Sequence, residues 1–227
     1  MVSCIVEDNK HNLWIGTSDG GLNYYDNASQ LYKNYLFNSG NLDVPFKDIK
    51  TVYVDEVQDR IYVGAHAGGM MVLHRKSGYI EYYNRHNSNL PSNNIYSIIS
   101  DGYGGLWVAS LEYLLHFDID KRNFTIVDVD EDGHKLQQYN RLLFCDSKKR
   151  IWAGGEMGIS VFNQVGTSLL PNTDFQIASV LKQAFVNCFY ETSSGYLWIG
   201  TRNGLFALKE SDKQFLQYTC LLYTSPS

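Results

Sequence analysis

Leu197-Trp198-Ile199-Gly200-Thr201 recurs almost unchanged as Leu13-Trp14-Ile15-Gly16-Thr17. Looser copies are Ile61-Tyr62-Val63-Gly64-Ala65, Leu106-Trp107-Val108-Ala109-Ser110 and Ile151-Trp152-Ala153-Gly154-Gly155. The aromatic anchors stand at positions 14, 62, 107, 152 and 198, which are 48, 45, 45 and 46 residues apart in turn. All 4 Trp of the chain occupy this one slot. A fixed period of this length is the mark of a repeat architecture.

Each repeat reads as four short strands separated by Gly, Asn, Asp and Ser clusters. The first is expected at Val2–Val6, Leu13–Gly16, Gly21–Tyr25 and Leu31–Tyr35; the second at Ile49–Val54, Ile61–Gly64, Gly69–Leu73 and Tyr79–Tyr83. The third follows at Ile95–Ile99, Leu106–Ala109, Leu114–Phe117 and Phe124–Val127. The fourth runs Arg141–Cys145, Ile151–Gly154 and Gly158–Phe162, then turns irregular through Gln164–Thr173, with its outer strand expected near Phe175–Ile177. The fifth is Phe185–Tyr190, Leu197–Gly200, Gly204–Leu208 and Phe215–Tyr218. No stretch shows helical periodicity. Four-stranded repeats of this length, each one blade, stack radially into a propeller. The expected fold is therefore all-β, a partial β-propeller of about five blades, at roughly 1–36, 46–84, 94–128, 140–178 and 184–219. Residues 220–227 break the pattern and read as a non-native or truncated tail.

The composition narrows the function. A net charge of −5 with no Lys/Arg run argues against nucleic acid as a partner. No apolar run is long enough to span a bilayer, and residues 1–7 lack the blocks of a signal peptide. A membrane connection would come through parts of a parent chain. Cys4 and Cys188 each precede their anchor by 10 residues, and Cys145 lies in the matching strand of another repeat. All three are expected to be buried thiols. The 6 His show no metal-ligand spacing, so no metal and no cofactor is expected. Acidic residues recur before each second strand at Asp8, Asp55, Asp101, Asp146 and Glu191, and read as hairpin-turn residues.

With the repeats laid out, the chain resembles the two-component regulator propeller family. Ile5-Val6-Glu7-Asp8-Asn9-Lys10-His11-Asn12-Leu13-Trp14-Ile15-Gly16-Thr17-Ser18-Asp19-Gly20-Gly21-Leu22-Asn23 follows that repeat almost throughout, and Leu90-Pro91-Ser92-Asn93-Asn94-Ile95-Tyr96-Ser97-Ile98 resembles its blade-to-blade linker. Tyr62 in place of Trp, and Leu111-Glu112-Tyr113-Leu114 in place of Gly-Gly-Leu, depart from it. The resemblance implies a seven-bladed ring in the periplasmic sensor region of a hybrid two-component histidine kinase. It further implies an oligosaccharide ligand derived from glycans and a second sensor protomer as partner, with no enzymatic activity in this region.

Propellers bind at the loops between second and third strands and at the linkers between blades; this is an expectation from fold. The candidate ligand-binding residues are Asp19, His66, Glu112, Tyr113, Glu156, Arg202 and Asn203, with no catalytic residue. Linker residues Asn38, Asn41, Asn89, Asn93 and Tyr139 would add amide hydrogen bonds and stacking. Two other readings stand beside this one. The first is a protein-interaction scaffold without a small ligand. The second is a lyase-type propeller enzyme, for which the loops offer only the scattered His66 and Glu156.

Overall fold

The computed structural model describes residues 1–35, 46–127, 140–172, 179–209 and 214–218. It is all-β, with five four-stranded antiparallel sheets, each strand paired with the next in sequence. Blade 1 holds β1 (Val2–Glu7), β2 (Leu13–Thr17), β3 (Leu22–Asp26) and β4 (Leu31–Asn34). Blade 2 holds β5 (Ile49–Asp55), β6 (Arg60–Ala65), β7 (Gly69–His74) and β8 (Ile80–Tyr83). Blade 3 holds β9 (Ile95–Ser100), β10 (Leu106–Ser110), β11 (Leu114–Asp118) and β12 (Asn123–Ile126). These blades lie in one compact unit, Met1–Leu136; a second unit, Gln137–Ser227, carries the other two. Blade 4 is β13 (Asn140–Cys145), β14 (Arg150–Gly155), β15 (Gly158–Val165) and β16 (Ser168–Pro171). Blade 5 is β17 (Val186–Glu191), β18 (Leu197–Thr201), β19 (Gly204–Lys209) and β20 (Gln214–Tyr218). Among the described residues the only helical element is one 3-10 turn, Ser179–Leu181, and no helix could cross a membrane.

The expected strands agree with these to within about two residues, except in blade 4. There β15 runs on to Val165, and the chain reverses at Gly166, whose φ is 59°. The outer strand therefore closes at once as Ser168–Pro171, not near Phe175–Ile177, which lies outside the described residues. The reversal is tight because Gly takes the left-handed conformation without a Cβ penalty. Residues 220–227 also lie outside the described residues.

The repeated pentapeptide makes the interface between blades. Its aromatic residue and its Gly are two apart, so they share one face of the strand. In blade 1 that face carries Trp14, Leu22 and Cys4, packed on Ile49, Val52, Ile61, Val63 and Met71 of blade 2. In blade 2 the equivalent face carries Tyr62, Met70 and Val72 against Ile95, Ile98, Val108 and Phe117 of blade 3. In blade 4 Trp152, Ile159 and Val161 meet Val186, Ile199 and Phe206 of blade 5. The Gly admits the next blade's first strand. A Cβ at Gly16 would lie 2.6 Å from Ile49 Cγ2, and at Gly64 2.5 Å from Ile95 Cγ2.

Trp14, Trp107 and Trp152 are buried, but Trp198 is only half-buried, stacked on the exposed Tyr218 at 5.7 Å between ring centroids. The same face holds Cys188, which is exposed, contrary to expectation. Cys4 and Cys188 do share one slot, each beside its blade's Gly, but Cys4 has blade 2 packed over it and Cys188 has solvent.

A buried acid closes the β1–β2 type of hairpin. Asp8 Oδ1 accepts the backbone N–H of Lys10 and Asn12 at 2.9 and 3.0 Å, and Oδ2 accepts Trp14 Nε1 at 3.3 Å. Asp146 repeats this with Lys148, Arg150 and Trp152 Nε1, the last at 2.8 Å. Asp101 does so with Tyr103 and Gly105, and its second oxygen pairs with His116 Nε2 at 2.7 Å. Blade 5 corrects the expected series. The residue in this position is Thr192, not Glu191: Thr192 N donates to Tyr196 O, and its hydroxyl accepts Tyr196 N at 3.0 Å. Glu191 instead reaches the neighbouring blade, where it accepts from Ser147 N and Ser147 Oγ, both at 2.7 Å. Asn9 N and Glu56 form the corresponding link between blades 1 and 2 at 2.8 Å.

Two measurements check this frame. Trp152→Ala should cost about 3–5 kcal/mol in denaturant unfolding, since it removes a fully buried indole between two blades. Burial opposes ionisation of Asp8, but the hydrogen bonds from Asn12, Lys10 and Trp14 outweigh it and hold its pKa below the ordinary 3.8. Asp8 therefore contributes stability above the unfolded-state value that is lost as pH falls through the folded-state value. Tm should drop below about pH 4, and Asp8→Asn should flatten that part of the curve while lowering Tm near neutrality.

Candidate functional site

The candidate residues all lie in the loops that join the second strand of a blade to its third. These loops are built by local hydroxyls. Thr17 Oγ1 donates to Gly21 O at 3.0 Å and accepts Gly20 N at 2.9 Å. Ser110 Oγ does the same with Tyr113 O and N, and Thr201 Oγ1 with Gly204 O and Asn203 N. The last residue of the repeated pentapeptide is thus a loop staple. Blades 2 and 4 carry Ala65 and Gly155 there, and in blade 2 other bonds hold the loop: His66 N donates to Asp48 O, and Ala67 N donates to Asn94 Oδ1 at 2.8 Å.

In the first unit, Asp19, His66 and Glu112 are exposed and Tyr113 is half-buried, packed on the core between blades 2 and 3. His66 Nδ1 stands 3.9 Å from Asp48 Oδ2. In the second unit, Glu156 pairs with Arg141 at 2.6 Å, and the Arg202 guanidinium lies 3.6 Å over the Phe185 ring. Arg202 N also donates to Phe185 O, so this cation is tied at both backbone and side chain. Asn203 is exposed. Each set therefore shares one end of its unit's blades, mixing carboxylates, imidazole and phenol in the first and a carboxylate, a guanidinium and an amide in the second.

The structure adds residues that the pattern did not single out. Every first strand carries a bulge at one slot, where two of its residues face one on the second strand. The extra residues are Ser3, Lys50, Tyr96, Arg141 and Asn187. A bulge re-aims the side chain it carries, and these sit beside the loops: Ser3 Oγ is 3.4 Å from Ser18 Oγ, Lys50 Nζ is 2.9 Å from Asp48, and Arg141 holds Glu156. Their only signal in the sequence is a slip of one in the alternation at the start of each repeat.

The linker amides serve the backbone. Asn89 donates to Phe124 O at 2.7 Å and accepts Phe124 N at 3.0 Å, and Asn93 Oδ1 accepts Arg85 N at 2.8 Å. Asn89 is engaged through both amide atoms and Asn93 through its oxygen. Asn38, Asn41 and Tyr139 lie outside the described residues. Among the described residues no group of three or more His, Cys, Asp or Glu could hold a metal ion.

The two component regulator propeller profile matches residues 1–19, 89–112 and 181–203, which contain the start of blade 1, the linker into blade 3 with its first two strands, and the core of blade 5. Three segments of the chain thus match two-component regulator propeller repeats. A curated relative, Histidine kinase P4 of Formosa agariphila, is 29% identical over 137 residues, which is 59% of this chain and 10% of the relative. Among solved structures, the extracellular domain of a hybrid two component system from B. thetaiotaomicron aligns with 96% of this chain and 30% of its own at a TM-score of 0.73 and 21% identity. PorZ, a surface component of the type-IX secretion system of Porphyromonas gingivalis, aligns with the whole chain and 34% of its own at 0.71 and 16% identity. At these identities the structural likenesses establish the fold. The chain spans a tenth of the curated relative and about a third of the solved chains.

The loop staple is testable. Thr201→Val removes both bonds of the hydroxyl and should cost about 1 kcal/mol, and the Asn203 amide should exchange with solvent several-fold faster by hydrogen exchange.

Proposed function

We propose that this chain is part of the extracytoplasmic sensor region of a hybrid two-component histidine kinase, periplasmic in location, and that it reads glycan-derived oligosaccharides through its β2–β3-type loops. The observation that carries the reading is the sequence relationship to a histidine kinase over 137 residues. The matching folds of extracellular two-component domains support it. The loop chemistry is compatible: stapled backbones present Asp19, His66, Glu112 and Tyr113 in one unit, and Glu156, Arg202 and Asn203 in the other. Carboxylates and amides hydrogen-bond vicinal hydroxyls, and a phenol ring offers an apolar face to a sugar. A second copy of the sensor is the proposed protein partner, and the region binds without performing chemistry.

A second reading has its own support. PorZ shows the same fold in a protein described as a surface component of a secretion system, so the blades also suit a scaffold for protein contacts.

Thermal-shift screening of the complete parent ectodomain against a panel of glycan oligosaccharides separates the readings. A matching sugar should raise Tm by several degrees, and the paired change Arg202→Ala with Asn203→Ala should remove that rise without changing the unliganded Tm by more than about 2 °C. No stabilisation by any sugar, with self-association retained, would favour the scaffold. Turnover of a sugar abolished by His66→Ala would favour the enzyme.

A further inference from the structure

Blade 2 departs from the other blades at its hairpin, and the departure leaves a cavity. In blade 4 the carboxylate of Asp146 caps the turn with Oδ1 and uses Oδ2 to accept Arg150 Nε at 2.7 Å and Trp152 Nε1 at 2.8 Å. The register places Arg60 and Tyr62 of blade 2 in the positions of Arg150 and Trp152. The hairpin of blade 2 is one residue longer, with Val54 opposite Ile61 where blade 4 has Cys145 opposite Ile151. Its acid, Asp55, turns away to cap Val57 N and Gln58 N through Oδ1, at 3.0 and 2.9 Å. Arg60 and Tyr62 are left without the carboxylate that serves their counterparts.

The consequences are visible in both side chains. Among the described residues no carboxylate lies within ion-pair distance of Arg60. The Tyr62 side chain is 1% exposed, and its hydroxyl has no hydrogen-bond partner in bonding geometry, although the Arg60 guanidinium lies beside it. A buried hydroxyl without a partner is costly. Both groups line a cavity of about 200 Å³, together with Glu81, Phe117, Asp120 and Arg122.

We propose that this cavity binds a small monocarboxylate, whose oxygens take the place that the Asp146 carboxylate fills in blade 4. One oxygen would accept from the Arg60 guanidinium, a charge-assisted bond, and the other from the Tyr62 hydroxyl. The Phe117 ring, with Val72 and Ile119, provides an apolar wall for the rest of the ligand.

The two acids in the lining decide against a more highly charged anion. Glu81 is already engaged by His74 Nε2 at 2.6 Å and by the Tyr83 hydroxyl, which donates to it at 2.8 Å, and it pairs with Arg122 at 3.4 Å. Asp120 is solvent-exposed, where water and salt screen it. A planar monoanion matches the one uncommitted guanidinium, whereas sulfate or phosphate would bring a second negative charge toward Glu81 and Asp120. The site is built from β6, β7 and β8 of blade 2 and from blade 3, and shares no residue with the loops of the proposed sensor face. Its test therefore stands or falls independently of that reading.

The experiment is titration of the protein with ¹³C-acetate followed by NMR, with acetamide and sulfate as controls. Acetate should bind with a Kd of roughly millimolar order, as expected for so few atoms, and neither control should compete. Tyr62→Phe should weaken binding about fivefold while the melting temperature by circular dichroism stays equal or rises, because an unpartnered buried hydroxyl has been removed. Arg60→Gln should weaken it at least tenfold. Tyr62→Trp, the residue of the other repeats, should fill the cavity and abolish binding. No acetate binding up to about 50 mM, equal binding of acetamide, or acetate binding unchanged in both Tyr62→Phe and Arg60→Gln would overturn the proposal. Should Arg60→Gln fail to fold, Tyr62→Phe decides alone.

Discussion

An aromatic ring and a glycine two residues apart on one strand face set the geometry of every blade contact described. The ring supplies on the order of 200 Å² of buried surface, and the glycine removes the Cβ that would strike the next blade. Ile49 meets Gly16 and Ile95 meets Gly64 closely enough that no larger residue fits without a shift. A sheet with two apolar faces cannot stand alone in water, so each blade is stable only when another covers it. On the equivalent face of blade 5, Trp198 is half-buried and Cys188 exposed.

The second constraint is the acid in the first hairpin. Two backbone N–H groups in a tight turn need an acceptor, and one carboxylate oxygen serves both. The other oxygen is then free, and the blades use it differently: indole N–H in blades 1 and 4, imidazole in blade 3. Blade 5 keeps the turn with the Thr192 hydroxyl, which has no second oxygen to accept from the Trp198 indole. Blade 2 lengthens the turn by one residue and thereby separates the acid from its former partners. A small change at one turn thus converts an internal hydrogen bond into an unfilled one.

At the other end of the blades the hydroxyl that closes the pentapeptide and the bulge in each first strand hold the loops. The hydroxyl bonds only to loop backbone, which leaves the loop side chains free to differ from blade to blade. The frame can stay constant while the loop side chains change. The pairs Arg141–Glu156 and Arg202–Phe185 show the variable residues being positioned by neighbours that are not in the loops themselves.

The order and number of strands, the four-stranded unit and the role of the aromatic anchor were legible in the sequence, because period and alternation report burial directly. The sequence also located the loops that carry Asp19, His66, Glu112, Tyr113, Glu156, Arg202 and Asn203. It could not place the outer strand of blade 4, since Ser168–Pro171 is short and mostly exposed and leaves little hydrophobic pattern. Nor could it show that Thr192 rather than Glu191 holds the turn of blade 5, because composition favours the acid and only the register fixes which residue lies opposite Tyr196. The bulges, the hydrogen bonds of Asn89 and Asn93, and the cavity beside Tyr62 were decided by tertiary structure. Each depends on which groups from separate repeats come within hydrogen-bonding distance, and that is a property of packed sheets that no single repeat encodes.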